Sequence, residues 1–136
     1  MLITKETDYA LRILRVLADG EQLTAAALAQ GEQIPQQFAY KILKKLEKAG
    51  FIRILRGADG GCVLTADLEK ITLYHLLQAM EEDSSVSTCM KPDYRCPWRS
   101  AHDGRICRAH LKLLDIQKKL DRELNSHSLQ EILFGD

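Results

Sequence analysis

Residues 34–64 read IPQQFAYKILKKLEKAGFIRILRGADGGCVL. Pro35 suits the first turn of a helix, where a missing N–H costs nothing. The apolar spacing behind it predicts a helix with a buried stripe of Phe38, Ile42, Leu43, Leu46 and Ala49. Gly50 then serves as a left-handed C-terminal cap. FIRILR reads as a strand, GADGG as a turn and CVLT as a returning strand. From Gln36 to Arg56 the basic residues are Lys41, Lys44, Lys45, Lys48, Arg53 and Arg56, against one acid, Glu47. A basic helix running into a basic hairpin is the charge pattern that DNA phosphates attract.

Two helices are expected before this stretch. Thr4 is a plausible cap for the first, whose Ala10, Ile13, Leu14 and Leu17 recur at helical spacing until Asp19-Gly20. The second runs from Thr24 to about Gln30. Helix, helix, basic helix and glycine-turned hairpin make a winged helix-turn-helix. In that motif the N-terminal part of the last helix meets base edges. Here that is Pro35, Gln36, Gln37, Tyr40 and Lys41, and glutamine can pair bidentately with adenine. Thr24, Lys44 and Arg53 are further candidates for the DNA surface. Arg56 sits at the hairpin tip, where it can enter a minor groove. Gly57, Gly60 and Gly61 allow a tight turn and close approach to phosphate.

Beyond the hairpin, ITLYHLLQAMEED predicts a fourth helix capped by Thr72. A long helix is expected from about Arg105 to Asn125. Ile106, Leu113 and Leu120 are spaced by seven, with Ala109, Ile116 and Leu124 filling in, a pattern that suits a dimer seam. A short last helix starts at Ser128, with Glu131 placed for a capping box. The fold class expected is mainly α with a small β-hairpin. Its units would be a DNA-binding domain over 1–83, a sensor segment over 84–110, and a dimerisation unit over 105–136 that overlaps the sensor segment.

Between the fourth and the long helix lies CMKPDYRCPWRSAHDGRICRAH, residues 89–110, with three of the chain's four cysteines. The 136 residues are 46% hydrophobic and 28% charged, which argues against disorder or a fibrous protein. Nineteen basic residues balance nineteen acidic ones, so the local clustering, and not the net charge, points to DNA. No signal peptide and no membrane span of roughly 20 apolar residues is visible, so a cytoplasmic location without membrane attachment is expected. There thiols stay reduced, and clustered cysteines indicate metal or redox chemistry. Cys89, Cys96 and Cys107 are the candidate ligands, with His110 three residues after Cys107. Cysteine and histidine suit zinc in a tetrahedral set as well as iron–sulfur chemistry, and a metal-free thiol switch uses the same residues. His102 reads as a turn residue, Cys62 as a small apolar strand residue, and Trp98 as a lid over the site. No nucleophile–base pair, carboxylate pair or phosphate loop stands out, so an enzyme is not expected.

TKETDYALRILRVLA, IPQQFAYKILKKLEKAGFI, RGADGGCVL and ITLYHLLQAMEED, in this order and followed by the cysteine segment, resemble the Rrf-two family of bacterial winged-helix transcription regulators. The resemblance covers essentially the whole chain. It implies a homodimer joined through the long helix, binding a palindromic double-stranded DNA operator, usually as a repressor. It also implies an iron–sulfur cluster, two-iron or four-iron, on Cys89, Cys96 and Cys107. Redox change, nitric oxide or iron and sulfur supply would then be the signal. The fourth ligand is implied to be His110, or Asp8 of the partner subunit. The gaps of six and ten residues between the cysteines are longer than is common in the family. Zinc, a thiol switch, or cluster-free control by a partner protein or metabolite are the alternatives.

Overall fold

The computed structural model describes residues 1–135. Helix α1 spans Lys5–Leu17, and the Thr4 hydroxyl accepts a hydrogen bond from the Thr7 N–H at 3.4 Å. Glu6 and Asp8 lie in its first turn and Arg15 in its last, both favourable to the helix dipole. Helix α2 spans Ala25–Gly31 under the Thr24 cap, whose hydroxyl accepts from the Ala27 N–H at 3.1 Å. Helix α3 spans Gln36–Lys48 and starts directly after Pro35. Gly50 follows it at φ +82°, the left-handed conformation expected of the cap.

The buried face of α3 is Ala39, Ile42, Leu43 and Leu46. Two members of the predicted stripe are therefore corrected: Phe38 and Ala49 are exposed. Phe38 lies one residue before Ala39, about 100° around the helix, so it clears the core and meets Tyr9 at 6.3 Å between ring centroids. Ala49 is already the C-cap. Ala10, Ile13, Leu14 and Leu17 of α1 are fully buried against this face. Truncating such a side chain to alanine costs about 2–5 kcal/mol.

Strands β1 (Ile52–Leu55) and β2 (Gly61–Leu64) pair antiparallel, with Ile52 opposite Leu64 and Leu55 opposite Gly61. Only glycine fits at position 60, because a Cβ there would collide with the Leu55 carbonyl oxygen. The hairpin is also tied to the α1–α2 connection: Leu23 and Cys62 exchange both backbone hydrogen bonds, at 3.1 and 2.6 Å.

Helix α4 spans Leu73–Ala79 and is shorter than expected. Its N-terminus is a reciprocal cap. The Thr72 hydroxyl accepts from the His75 N–H, and His75 Nδ1 accepts from the Thr72 N–H at 3.0 Å. It stops because Glu81 turns left-handed (φ +59°) and the Glu82 N–H closes back onto the Leu77 carbonyl at 2.9 Å. The segment that follows is mostly irregular, with a single 3₁₀ turn at Thr88–Met90 and a short helix α5 at Pro97–Ala101.

Helix α6 spans Arg108–Ser126, three residues later than Arg105. Asp103 and Gly104 are left-handed and Cys107 is extended, so the chain turns before it can coil. Helix α6 packs on α4, and Leu124 is its buried residue. Leu113 and Leu120 are half-buried. Ile106 precedes the helix, and it, Leu111 and Ile116 face outward, Ile106 with 72% of its surface exposed. Helix α7 spans Leu129–Phe134 under the Ser128 cap, which accepts from the Glu131 N–H at 3.1 Å. The Glu131 carboxylate does not complete a capping box. It turns to His127 Nδ1 at 3.2 Å instead. The architecture is mainly α with a small hairpin: a winged helix-turn-helix followed by a long C-terminal helix.

Candidate nucleic-acid interface and cysteine pocket

Burial of Ala39, Ile42, Leu43 and Leu46 leaves Gln36, Gln37, Tyr40, Lys41 and Lys44 exposed on the opposite side of α3, at and after its free N-terminal end. The Gln36 side-chain amide donates to the Tyr40 hydroxyl at 3.3 Å, one turn on. Thr24 is exposed at the start of α2, but its hydroxyl is already used as the cap. Arg53, Arg56 and Gly57 are exposed on the hairpin. Gly61 is buried. A Cβ there would meet Gln22 Cγ at 2.9 Å, so this glycine serves the approach of β2 to residues 22–23 and not an open DNA surface. Gln22 Nε2 also donates to the Asp59 carbonyl at 2.5 Å, tethering the hairpin tip. That role was invisible in the sequence, because 37 residues separate the two.

The positive charge of α3 is partly answered from α1. Glu6 Oε1 accepts from Lys41 Nζ at 2.8 Å, and Oε2 accepts from Lys45 Nζ at 3.3 Å. The Lys41 hydrogen bond, with Lys45 adding to it, holds the Glu6 carboxyl below its usual range. Lys45 also donates to the Met80 carbonyl at 3.2 Å, at the end of α4. Glu82, two residues on, accepts from the hydroxyls of Thr4 and Thr7, so the chain just after α4, ahead of the sensor segment, is bonded to the start of α1.

All four cysteines are free thiols. Burial, and then the Glu47 carboxylate, pushes the Cys62 thiol above its ordinary range, in keeping with an inert strand residue. Cys89, Cys96, Cys107 and His110 line one cavity of about 400 Å³, together with Tyr94 and Arg99. Cys107 caps α6 and its Sγ accepts from the His110 N–H at 3.4 Å. Ser87 Oγ lies 3.3 Å from Cys89 Sγ. Among the described residues, no three His, Cys, Asp or Glu side chains are drawn close enough to hold a single metal ion. The pocket gathers the thiols without closing them onto one point.

Trp98 is not the expected lid. It is half-exposed and stacks on His102 at 4.4 Å, outside the lining of the cavity. His102 Nδ1 bonds the Trp98 carbonyl oxygen at 2.7 Å, one helical turn back, so its role is to close the local turn. Asp8 lies outside the cavity of its own chain, its carboxylate paired with Arg12 at 2.7 Å. Arg12 in turn donates to the Glu32 carbonyl at 3.1 Å, in the turn before α3. One residue missed in the sequence fastens the pocket's approach. Gln117 of α6 donates to the Ser84 carbonyl at 3.1 Å and accepts from the Val86 N–H at 2.7 Å. No membrane-length apolar helix occurs among the described residues.

Known proteins share this fold. The Rrf2 family model, described as an iron-dependent transcriptional regulator, matches residues 3–134. The HTH-type transcriptional repressor NsrR of Streptomyces coelicolor is 30% identical over 137 residues, covering 98% of this chain and 88% of that protein. Protein aau3 of Rhizobium meliloti is 32% identical over 100 residues, 71% of this chain and 65% of that protein, so the match spans just under two thirds of its length. Among solved structures, CymR (YrzC), the global cysteine regulator of B. subtilis, is similar with a TM-score of 0.68, covering 100% of this chain and 98% of that one. At 21% identity that likeness is one of fold.

Proposed function

The chain belongs to the Rrf2 family of transcriptional regulators, and from that premise we propose that it is a dimeric repressor whose operator affinity is switched by an iron–sulfur cluster. It is a DNA-binding regulator and not an enzyme. The observation that carries the switch is the gathering of Cys89, Cys96, Cys107 and His110 around one cavity. Three soft thiolate donors suit iron–sulfur chemistry. A lone zinc ion would need its sulfur ligands about 4 Å apart, from Zn–S bonds of about 2.3 Å in a tetrahedron. Among the described residues, no three such side chains are placed to hold a single ion. A bound cluster would supply iron–sulfur and iron–ligand bonds that oxidants, nitric oxide and iron shortage attack.

His110 is the fourth ligand that the cavity supports, since it lines the same space as the thiols. Asp8 of the partner subunit is the second reading, favoured by its place on α1 beside the DNA-reading helices. An Asp8 that ligates has Oδ1 for the purpose while Oδ2 stays on Arg12, and Arg12 holds the turn before α3. Ile106, Leu111 and Ile116, apolar and exposed, support the pairing of two copies through α6. A palindromic operator follows from two-fold symmetry. Gln36, Gln37 and Tyr40 would read bases; Thr24, Pro35, Lys41, Lys44, Arg53, Arg56, Gly57 and Gly60 would line the phosphate path. The signal reaches them only in so far as the ligand state favours one DNA-binding geometry. Glu82, bonded to Thr4 and Thr7, is the chain's own connection between the two ends.

Anaerobic purification with iron and sulfide analysis and a visible spectrum tests the proposal. A protein that stays colourless and iron-free after reconstitution rules the cluster out. Zinc in place of iron favours the zinc reading, and a reversible thiol count without metal favours a redox switch. Operator affinity that still responds to a partner protein or metabolite after all three cysteines are replaced favours cluster-free control.

A further inference from the structure

Four lysines lie on α3: Lys41, Lys44, Lys45 and Lys48. Among the described residues, Lys41 and Lys45 are paired with Glu6, whereas Lys44 and Lys48 enter no ion pair. The two paired lysines differ. Lys45 is 19% exposed and has a second anchor in the Met80 carbonyl, so it is fixed. Lys41 is 57% exposed, and among the described residues Glu6 is the one group it hydrogen-bonds. Glu81 and Glu82 also face Lys41 and add to the negative field at that rim. If Lys41 swings away, Lys45 still holds Glu6 in place and charged.

We infer that Glu6 is a specificity-determining residue that stands in for a DNA phosphate, keeping Lys41 from loosely docked DNA and releasing it when α3 is seated in a matched major groove. Non-specific binding is a contest between protein cations and counterions at the phosphates. A phosphate must then outcompete a carboxylate already 2.8 Å from Lys41, with α3 held at a distance. On matched DNA, base contacts from Gln36, Gln37 and Tyr40 draw α3 inward. Lys41, four residues after Gln37 and on the same face, is carried to the backbone, where phosphate replaces Glu6. Glu6 thus subtracts one phosphate contact from non-specific binding and none from operator binding. This rests on the reading surface proposed above.

The experiment measures binding by fluorescence anisotropy across a salt series, with two duplexes. One is selected by the wild-type protein from a randomised palindrome library; the other is a scramble of equal length and composition. Glu6→Gln should tighten binding to the scramble and steepen its log–log salt slope by about 0.9, the value of one further phosphate contact. Its slope on the selected duplex should stay unchanged, so the specificity ratio falls. Lys41→Met should make the slope on the selected duplex shallower by about 0.9 and leave the scramble slope alone. The double variant should return the scramble slope to the wild-type value. An ion pair that is merely structural would lower the melting temperature of Glu6→Gln and move neither slope. An unchanged scramble slope in folded Glu6→Gln, or equal changes on both duplexes in Lys41→Met, overturns the inference. If Glu6→Gln does not fold, the Lys41→Met arm decides. Gln37→Ala binding the selected duplex like wild type would instead overturn the reading surface, and the inference with it.

Discussion

Replacing Gln117 with alanine should loosen the segment that leads into the cysteine pocket. Gln117 makes three side-chain hydrogen bonds: to the Ser84 carbonyl at 3.1 Å, from the Val86 N–H at 2.7 Å, and to Asp121 at 2.9 Å. A hydrogen bond of this kind contributes about 0.5–1.5 kcal/mol net. The Asp121 bond lies within α6 and does not hold the segment. Val86 is exposed, so water can take over its N–H once the glutamine is gone. The expected cost of opening residues 84–86 is therefore about 1–2 kcal/mol, or roughly 5- to 30-fold in the local equilibrium. Hydrogen exchange on the metal-free protein reads this directly: protection at Val86 should fall by that factor, while α3 amides keep theirs. Loss of the proposed cluster under air should quicken in the same variant. Unchanged protection at Val86 would refute the reasoning, because the bond that the structure draws would then contribute nothing.

Gln37→Ala should cost about 1–3 kcal/mol of discrimination at one base position, seen as relaxed preference in binding to a panel of single-base operator variants. Arg56→Ala should weaken binding more uniformly and make the salt slope shallower by about 0.9, measured in the same titration. Leu46→Ala, at a fully buried site between α1 and α3, should lower unfolding stability by about 2–5 kcal/mol in urea denaturation. His127 lies between Glu123 at 2.7 Å and Glu131 at 3.2 Å, and these carboxylates, Glu123 first, raise its pKa above 6.5. Its charge therefore favours the α6–α7 junction below pH 6.5, and that contribution is lost as pH climbs through the raised value. An NMR titration should show a His127 pKa that falls back toward 6.5 in Glu123→Gln.

What the sequence determined by itself was much of what short-range pattern sets. Caps at Thr4, Thr24, Thr72 and Ser128, the left-handed Gly50, and the apolar period of α1 act within a turn or two of chain. They were legible because a cap or a stripe needs only its own neighbours. The family resemblance rested on the same stretches. The tertiary structure decided what depends on residues far apart in the chain. Phe38 left the predicted core because it lies about 100° around α3 from the buried Ala39, where its ring meets Tyr9 at the core's edge. The basic helix lost part of its charge to Glu6, which is 35 residues away from Lys41 and lay outside the counted stretch. The pocket behaves likewise. Three cysteines at uneven gaps of six and ten residues give no distance between thiols. Only the turn at Asp103-Gly104 and the start of α6 at Arg108 bring Cys107 and His110 to the cavity that Cys89 and Cys96 share. Local backbone preference is written residue by residue, whereas electrostatic pairing and ligand convergence follow from how whole helices pack.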